Sequence, residues 1–333
     1  PSLHARHAEP PQHMQTRITR LLGLDHPLLQ AGMSWASSSA ALPAAVSAAG
    51  ALGVIAAGPM YPEALRAAIR ELRQLTAVAG CPSAPFAVNV PLYNKRAAEL
   101  LDVVEAEQVP ILIASQGGTR GHLARFQSQG VKWLHVVASA LHARKAEDAG
   151  VDGVIAIGGE AGGHPAPDEV SAMVVVRAVL RAVRLPVIAG GGVADGAGIA
   201  AMLALGADAV QLGTRFLLTP EASVHAAYKQ ALLAAGIADT TLVGRGKLPV
   251  RCVRNQFTAA VDAAEQRGED TETLAALWAS HSLKEAALEG NADWGKLEAG
   301  QSVGLIDSLV PAGALVQQLM AECETARQRL AAL

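Results

Sequence analysis

The feature that most constrains this sequence is a rhythm. From Asp25 onward a short apolar run, a Gly-rich or polar turn and an Ala-rich amphipathic stretch recur in that order, which is the pattern of a strand followed by a helix. The apolar runs are HPLLQAGM (26–33), LGVIAAG (52–58), FAVNV (86–90), PILIAS (110–115), VKWLHVV (131–137), VDGVIAIG (151–158), LPVIAGGG (185–192) and ADAVQLG (207–213). Each is continuously apolar instead of alternating, so the strands are expected to be parallel and covered on both sides. Helices are predicted near 38–49, 62–76, 95–107, 118–129, 139–149, 168–183 and 196–205, with another at about 221–235. Gly50, Gly130, Gly150 and Gly206 fall just past four of them, where a left-handed helix end suits glycine. Eight alternations in about 210 residues predict an α/β fold of the TIM (β/α)8 barrel type. A doubly wound sheet is disfavoured, because no GxGxxG turn follows the first run.

Composition narrows the functional classes. Aromatic residues are only 3% of the 333, too few for a β-sandwich. With 27 Lys+Arg against 30 Asp+Glu the net charge is −3, which gives no electrostatic reason to expect nucleic acid or an anionic membrane as partner. No apolar run reaches the roughly 18 residues of a membrane span. Cys81, Cys252 and Cys323 are scattered and in no metal-binding spacing, so reduced thiols in a cytoplasmic setting are expected, with neither zinc nor disulfides. A small-molecule substrate is the expected partner, and the Ala-rich helices permit a homodimer without demanding one. Residues 1–13 precede Met14, lack the apolar core of a secretory signal and read as an extension or tag remnant. The barrel is expected over 14–238. After about 240 the rhythm breaks into Gly- and Arg-containing loops, a helical segment (258–289, with a turn near Gly268) and the loop EGNADWGKLEAGQ. These place a helical cap over 239–310 and a C-terminal helix over 311–333.

In such a barrel the working face lies at the C-terminal ends of the strands, and phosphate sites are commonly built from the loops after strands seven and eight. Here those loops are AGGGVADG and QLGTRF. Gly190, Gly191 and Gly192 permit close backbone approach to an anion, and the helix beginning near Ala197 would aim its positive end there. Gly213 and Thr214 would complete the cradle, with Arg215 neutralising charge nearby. A phosphorylated ligand follows from two such loops side by side, although a glycine in either has the simpler role of making a tight turn. The loop GGEAGGHPAPDE after run six carries His164, whose imidazole suits proton transfer near neutral pH; a solvated loop histidine is the plainer alternative. Asn89 ends run three, where it either orients a planar heterocycle or satisfies loop backbone. Ala31, Gly32 and Met33 form a small tip at run one against which a flat ring fits, and Gln211 ends run eight. His135 reads as a satisfied core histidine. Cys252, in PVRCVRN, reads as structural, and Arg251 and Arg254 as candidates to meet an anionic co-substrate.

From TRITRLLGLDHPLLQAGM (16–33) through NVPL, GGEAGGH, VIAGGGVADG and AVQLGTRF to AGQSVGLI (299–306), the chain resembles the FMN-dependent nitronate monooxygenases, formerly 2-nitropropane dioxygenases. Flavin enoyl-ACP reductases and an NADH:quinone reductase group belong to the same superfamily. The resemblance implies one FMN at the mouth of the barrel, held by Asn89, Gly162, Gly192 and Gln211, Leu212, Gly213 and Thr214, with Gly32, Met33, Gly163 and Gly191 nearby. It implies His164 as the proton-transfer residue. Two departures bear on substrate: many nitronate-oxidising relatives have Lys after the histidine of run five, where this chain has Val136, and some have Gln in place of Ile157. The leading expectation is oxidation of alkyl nitronates by dioxygen to a carbonyl compound and nitrite. The alternative is NAD(P)H-dependent reduction of an enoyl thioester or quinone, which DTT (239–241) followed by RCVRNQF resembles. A barrel that binds a phosphorylated metabolite without catalysis is a third. An IMP dehydrogenase-like barrel would need a cysteine in the loop that carries His164.

Overall fold

The computed structural model describes residues 14–119, 121–166, 168–245 and 249–333. The expected extension at 1–13 lies outside them. Eight strands form one parallel sheet: β1 (Leu28–Gln30), β2 (Gly53–Ala56), β3 (Phe86–Pro91), β4 (Ile111–Ser115), β5 (Lys132–Val137), β6 (Gly153–Ile157), β7 (Val187–Gly190) and β8 (Ala209–Leu212). The sheet runs from β2 through β3 to β8 and on to β1, and a parallel bridge between Leu29 and Leu52 brings its two edges together. This is the expected TIM barrel.

Helices cover the outside: α1 (Arg17–Leu22), α2 (Ala41–Ala48), α3 (Pro62–Val78), α4 (Ala97–Ala106), α5 (Leu123–Gln127), α6 (Ala140–Ala149), α7 (Ala172–Ala182) and α8 (Gly196–Ala204). Gly50, Gly130, Gly150 and Gly206 all have positive φ at the helix ends. Period-two packing sorts the strand residues. In β4, Ile111 and Ile113 point into the barrel, while Leu112 and Ala114 face the helices. The barrel interior is a packed plug of Leu29, Val54, Ile113, Leu134, Ile155 and Ile188, closed below by Ile18 and Leu22 of α1. The interior is therefore solid at the bottom, and only the top offers space.

The chain after β8 departs from the expectation. It continues through a one-turn helix α9 (Thr214–Leu217) and α10 (Ala226–Ala234), and then makes an antiparallel hairpin, β9 (Thr240–Val243) with β10 (Val250–Val253), where the sequence suggested loops. Arg251 disguises β10, because a charged residue in a short run argues against a buried strand; here it is only 5% exposed. The helical segment predicted over 258–289 is three helices, α11 (Gln256–Gln266), α12 (Thr271–Ser280) and α13 (Leu283–Glu289), with a second break where Ser282 caps α13. The last helix, α14 (Ala312–Ala331), packs on α8 and α2 through Leu315, Leu319 and Cys323. It thereby takes the place in the helical ring that the alternation assigns to 221–235. Tyr228 and Leu232 of α10 instead join Val253, Ala286, Leu297 and Val303 in a separate cluster above the barrel.

Candidate functional site

The strand tips open onto a cavity of about 600 Å³. Its wall includes Gly32 and Met33 after β1, Asn89 in β3, Gly162, Gly163 and His164 after β6, Gly191 and Gly192 after β7, and Gln211, Gly213 and Thr214 at β8. Of the cofactor-contact and proton-transfer residues that the resemblance implies, all line this one space except Leu212. The Leu212 side chain is buried among the helices, and only its main chain adjoins the site, its carbonyl accepting the Ala31 N–H at 2.9 Å. Trp35 and Gln116 also line the cavity and hold φ at 68° and 50°. Non-glycine residues keep such a conformation only where their surroundings enforce it.

One side of the cavity is made of main chain. Gly191 and Gly192 have φ of 96° and 74°, a conformation that side-chain-bearing residues resist. Among the described residues, the N–H groups of Gly191, Gly192, Gly213 and Thr214 donate to no other backbone group. The Thr214 hydroxyl accepts the Gly300 N–H at 2.9 Å, which leaves its own O–H to donate. Two expectations are corrected here. The N-terminus of α8 is not turned to a ligand: Asp195 accepts from Gly198 N at 2.8 Å and Glu322 from Gly196 N at 2.9 Å, so carboxylates of the chain already occupy it. The short α9 after β8, which has no side-chain cap, begins at the cavity instead. Arg215 does not face the cavity; it is buried and donates to the Ser308 carbonyl at 3.1 Å.

The floor offers fixed polar groups. Asn89 donates from Nδ2 to the Ile113 carbonyl at 3.1 Å, which orients its Oδ1 as an acceptor. A Cβ on Gly32 would lie 2.7 Å from Asn89 Cβ, so only glycine lets these two tips meet. Gln211 presents its amide beside them.

The opposite side is held by β10. Gly163 pairs with Arg251, its N–H donating at 3.2 Å and its carbonyl accepting at 2.7 Å. His164 Nδ1 lies 3.1 Å from the Pro249 carbonyl, an acceptor, so Nδ1 carries the hydrogen and Nε2 is left for chemistry. Glu298 forms a bridge with Cys252, the next residue along β10. Arg251 is a strut, not an anion receptor: Nε donates to the Gly159 carbonyl at 3.0 Å and Nη1 to Thr240 Oγ1 at 3.3 Å, and Glu169 lies 3.7 Å away. Arg254 faces Asp262 at 3.8 Å. Glu160 is likewise structural, both its oxygens accepting the Ala172 N–H at the start of α7, at 3.0 and 2.8 Å. Cys252 is buried, which pushes its thiol well up. His135 is buried behind the barrel wall with Trp133 Nε1 at 3.5 Å, and burial pushes its pKa down. The sequence reading missed Glu298, Tyr93 and Gln116, which line the cavity. The one signal for Glu298 was an acid interrupting the small and apolar run of LEAGQSVGL.

A second cavity of about 1220 Å³ adjoins the first between the β4–α5 loop and α6, and the two share Gln116, Val136, Ile157 and His164. Among the described residues there is no cluster that suits a metal ion and no helix long and apolar enough to cross a membrane.

A family model described as nitronate monooxygenase matches residues 15–110 and 93–322. The chain belongs to the nitronate monooxygenase family. Among the relatives of this family member is a nitronate monooxygenase of Paraburkholderia phytofirmans, 34% identical over 93% of this chain and 95% of that one. Another, from Rhodococcus jostii, is a (3aS,4S,5R,7aS)-5-hydroxy-7a-methyl-1-oxo-octahydro-1H-indene-4-carboxyl-CoA dehydrogenase, 32% identical over 93% of this chain and 96% of that one. The structure of FabK from Thermotoga maritima superposes with a TM-score of 0.88 at 40% identity, covering 96% of this chain and 99% of that one. The family and its relatives make the chain an oxidoreductase. Relatives of similar identity bear different activities, so the substrate has to be argued from the cavity.

Proposed function

We propose that this oxidoreductase uses FMN to reduce an uncharged, electron-poor substrate, an enoyl thioester foremost, with NAD(P)H as the electron source. The polar groups of the cavity fit the cofactor. Free backbone N–H groups at Gly191, Gly192, Gly213 and Thr214, with the Thr214 hydroxyl, suit a phosphate. Asn89 and Gln211 suit the edge of a planar heterocycle lying against Gly32 and Met33, with Gly162, Gly163 and the main chain of Leu212 completing the contact surface. Bound FMN supplies the hydride and electron chemistry, and the chain supplies position and protons. His164, fixed through Nδ1, presents Nε2, which in the imidazolium form carries the proton that goes to the carbon next to the carbonyl and leaves the ring neutral. In this reading 14–238 is the FMN-binding barrel, 239–310 caps the substrate, and the helix of 311–333 completes the barrel's outer ring.

The observation that carries the choice of substrate is the charge of the wall. Among the described residues no arginine lines the cavity, Lys284 is its one lysine, and Val136 follows His135. An anionic nitronate therefore meets little fixed positive charge. The likeness to FabK, of the enoyl reductase branch, and the CoA-linked relative support the same reading. Oxidation of alkyl nitronates by dioxygen is the second reading, favoured by the family match and the 34% identical relative. Anaerobic mixing with NADH tests the two: rapid bleaching of the flavin is expected, followed by reoxidation with a crotonyl thioester. No bleaching, together with oxygen uptake on adding propyl-2-nitronate, would reverse the order, and a purified protein that neither contains nor binds FMN would remove both.

A further inference from the structure

We propose that Glu298 sets the charge selectivity of the cavity, admitting uncharged substrates and turning away anions of the same shape. The inference rests on the reading of this cavity as the substrate site. Its basis is geometric. Glu298 lines the cavity, and a Cβ built on Gly163 would lie 3.1 Å from its Oε2, so the carboxyl group adjoins the residue that precedes His164. The backbone fixes it there. The Leu297 carbonyl accepts the Val253 N–H at 2.8 Å, and Tyr228 donates its hydroxyl to the Glu298 carbonyl at 2.8 Å.

No described residue donates to the carboxyl oxygens; they are open to the cavity and are not buried atoms left without a partner. The groups that face it come from its own segment and from four other parts of the chain. Lys296, on its own segment, spends Nζ on the Trp278 carbonyl at 3.0 Å and on the Trp278 ring at 3.8 Å. Tyr228 of α10 is committed to the backbone. Cys252 of β10 and Tyr93 of the loop after β3 are uncharged near neutral pH, and burial raises both further. His164 and Lys284 are the remaining groups of the cavity wall that can carry positive charge. Burial pushes the Glu298 carboxyl up, against the opposing pull of His164 and Lys296. Ionised and without a donor, it repels an anion bound beside His164; protonated, it offers an O–H to a carbonyl oxygen. A unit charge several ångströms away in a partly desolvated site changes affinity by about tenfold or more.

Crotonamide and crotonate form a matched pair of ligands, nearly the same in shape and differing in charge. Their binding to the FMN-loaded protein is measured by saturation-transfer NMR, with flavin absorbance recorded in parallel. At about pH 8 the amide is expected to bind about tenfold more tightly than the carboxylate, with the gap narrowing as the pH is lowered and Glu298, whose pKa burial raises, takes up its proton. In Glu298→Gln the gap should fall to about twofold and lose most of its pH dependence, which separates Glu298 from His164. Equal binding of the pair by the wild type, or an unchanged gap in the variant, overturns the proposal. If the variant does not fold, the pH series is run on His164→Ala: a gap that still narrows as pH falls upholds the proposal, and a gap that no longer changes overturns it. A colourless protein that still discriminates defeats the flavin reading and leaves Glu298 standing, whereas a yellow protein without the gap does the reverse.

Discussion

The two sides of the cavity are built from different materials. At the tips of β7 and β8 the groups at the cavity wall are main-chain N–H, set by Gly191, Gly192 and Gly213 within a few residues of their strands. Across the cavity the groups are side chains, His164 and Glu298, and neither is positioned by its own strand. Both are held along β10, His164 through Pro249, Gly163 through Arg251 and Glu298 through Cys252. A main-chain cradle is encoded locally and depends on glycine. A side-chain pair is encoded across the whole chain and depends on a strand none of whose own residues lines the cavity.

The comparison breaks most sharply at His164. His164→Ala is expected to lower kcat for thioester reduction by about 10²–10⁴-fold with the FMN content unchanged, because only proton delivery is lost. Equal loss of FMN and activity would mean that the two sides are not separable. Next in size is Gly162→Val, which puts a Cβ 2.5 Å from the Ala299 carbonyl carbon, a backbone atom with no room to yield. Overpacking there should cost about 2–3 kcal/mol in a denaturant titration and empty most of the FMN site. Arg251→Ala removes the donor from the Gly159 carbonyl and loosens the β6 loop from the hairpin. A cost of about 2 kcal/mol is expected, seen as a fall in Tm of about 4 °C, and Arg251→Lys should not restore it.

Smaller effects sharpen the contrast. Thr214→Val keeps the shape and deletes one O–H from the main-chain side, so FMN affinity should weaken by about tenfold in a fluorescence titration while the proton-transfer step is untouched. Glu298→Gln should raise Tm by about 2 °C at neutral pH and above. The sign follows from its pKa, which is raised in the folded protein: stability associated with this carboxyl is fully present below its unfolded pKa and is lost as pH rises through the folded value. The stabilisation by glutamine should therefore vanish as the pH is lowered through that window, and a gain that persists in acid would place the effect elsewhere.

Particular residues show how far the sequence could be read. The eight runs gave the strands because parallel barrel strands are continuously apolar, and the glycines past the helices marked the ends of four βα units. Gly32, Asn89 and Gly192 could be placed at the cavity because each lies in or just past the C-terminal half of a strand, which barrel topology brings to the mouth. Arg215 and Arg251 were misread for a shared reason: a charge in a sequence is taken to face a ligand or water, whereas both guanidinium groups are buried and satisfied by carbonyl oxygens. The same bias hid β10.

By itself the sequence determined the barrel, the face on which the cavity opens and the glycines that expose main-chain N–H groups, because period, turn chemistry and apolar runs are local properties of the chain. Tertiary structure alone decided that α14, not α10, completes the helical ring, that the N-terminus of α8 is closed by Glu322, and that His164 and Glu298 share one strand edge. Those outcomes depend on contacts between residues dozens of positions apart, such as Cys252 with Glu298, His164 with Pro249 and Gly196 with Glu322. No local preference carries that information, since a hydrogen bond across such a separation forms only after the elements between have packed.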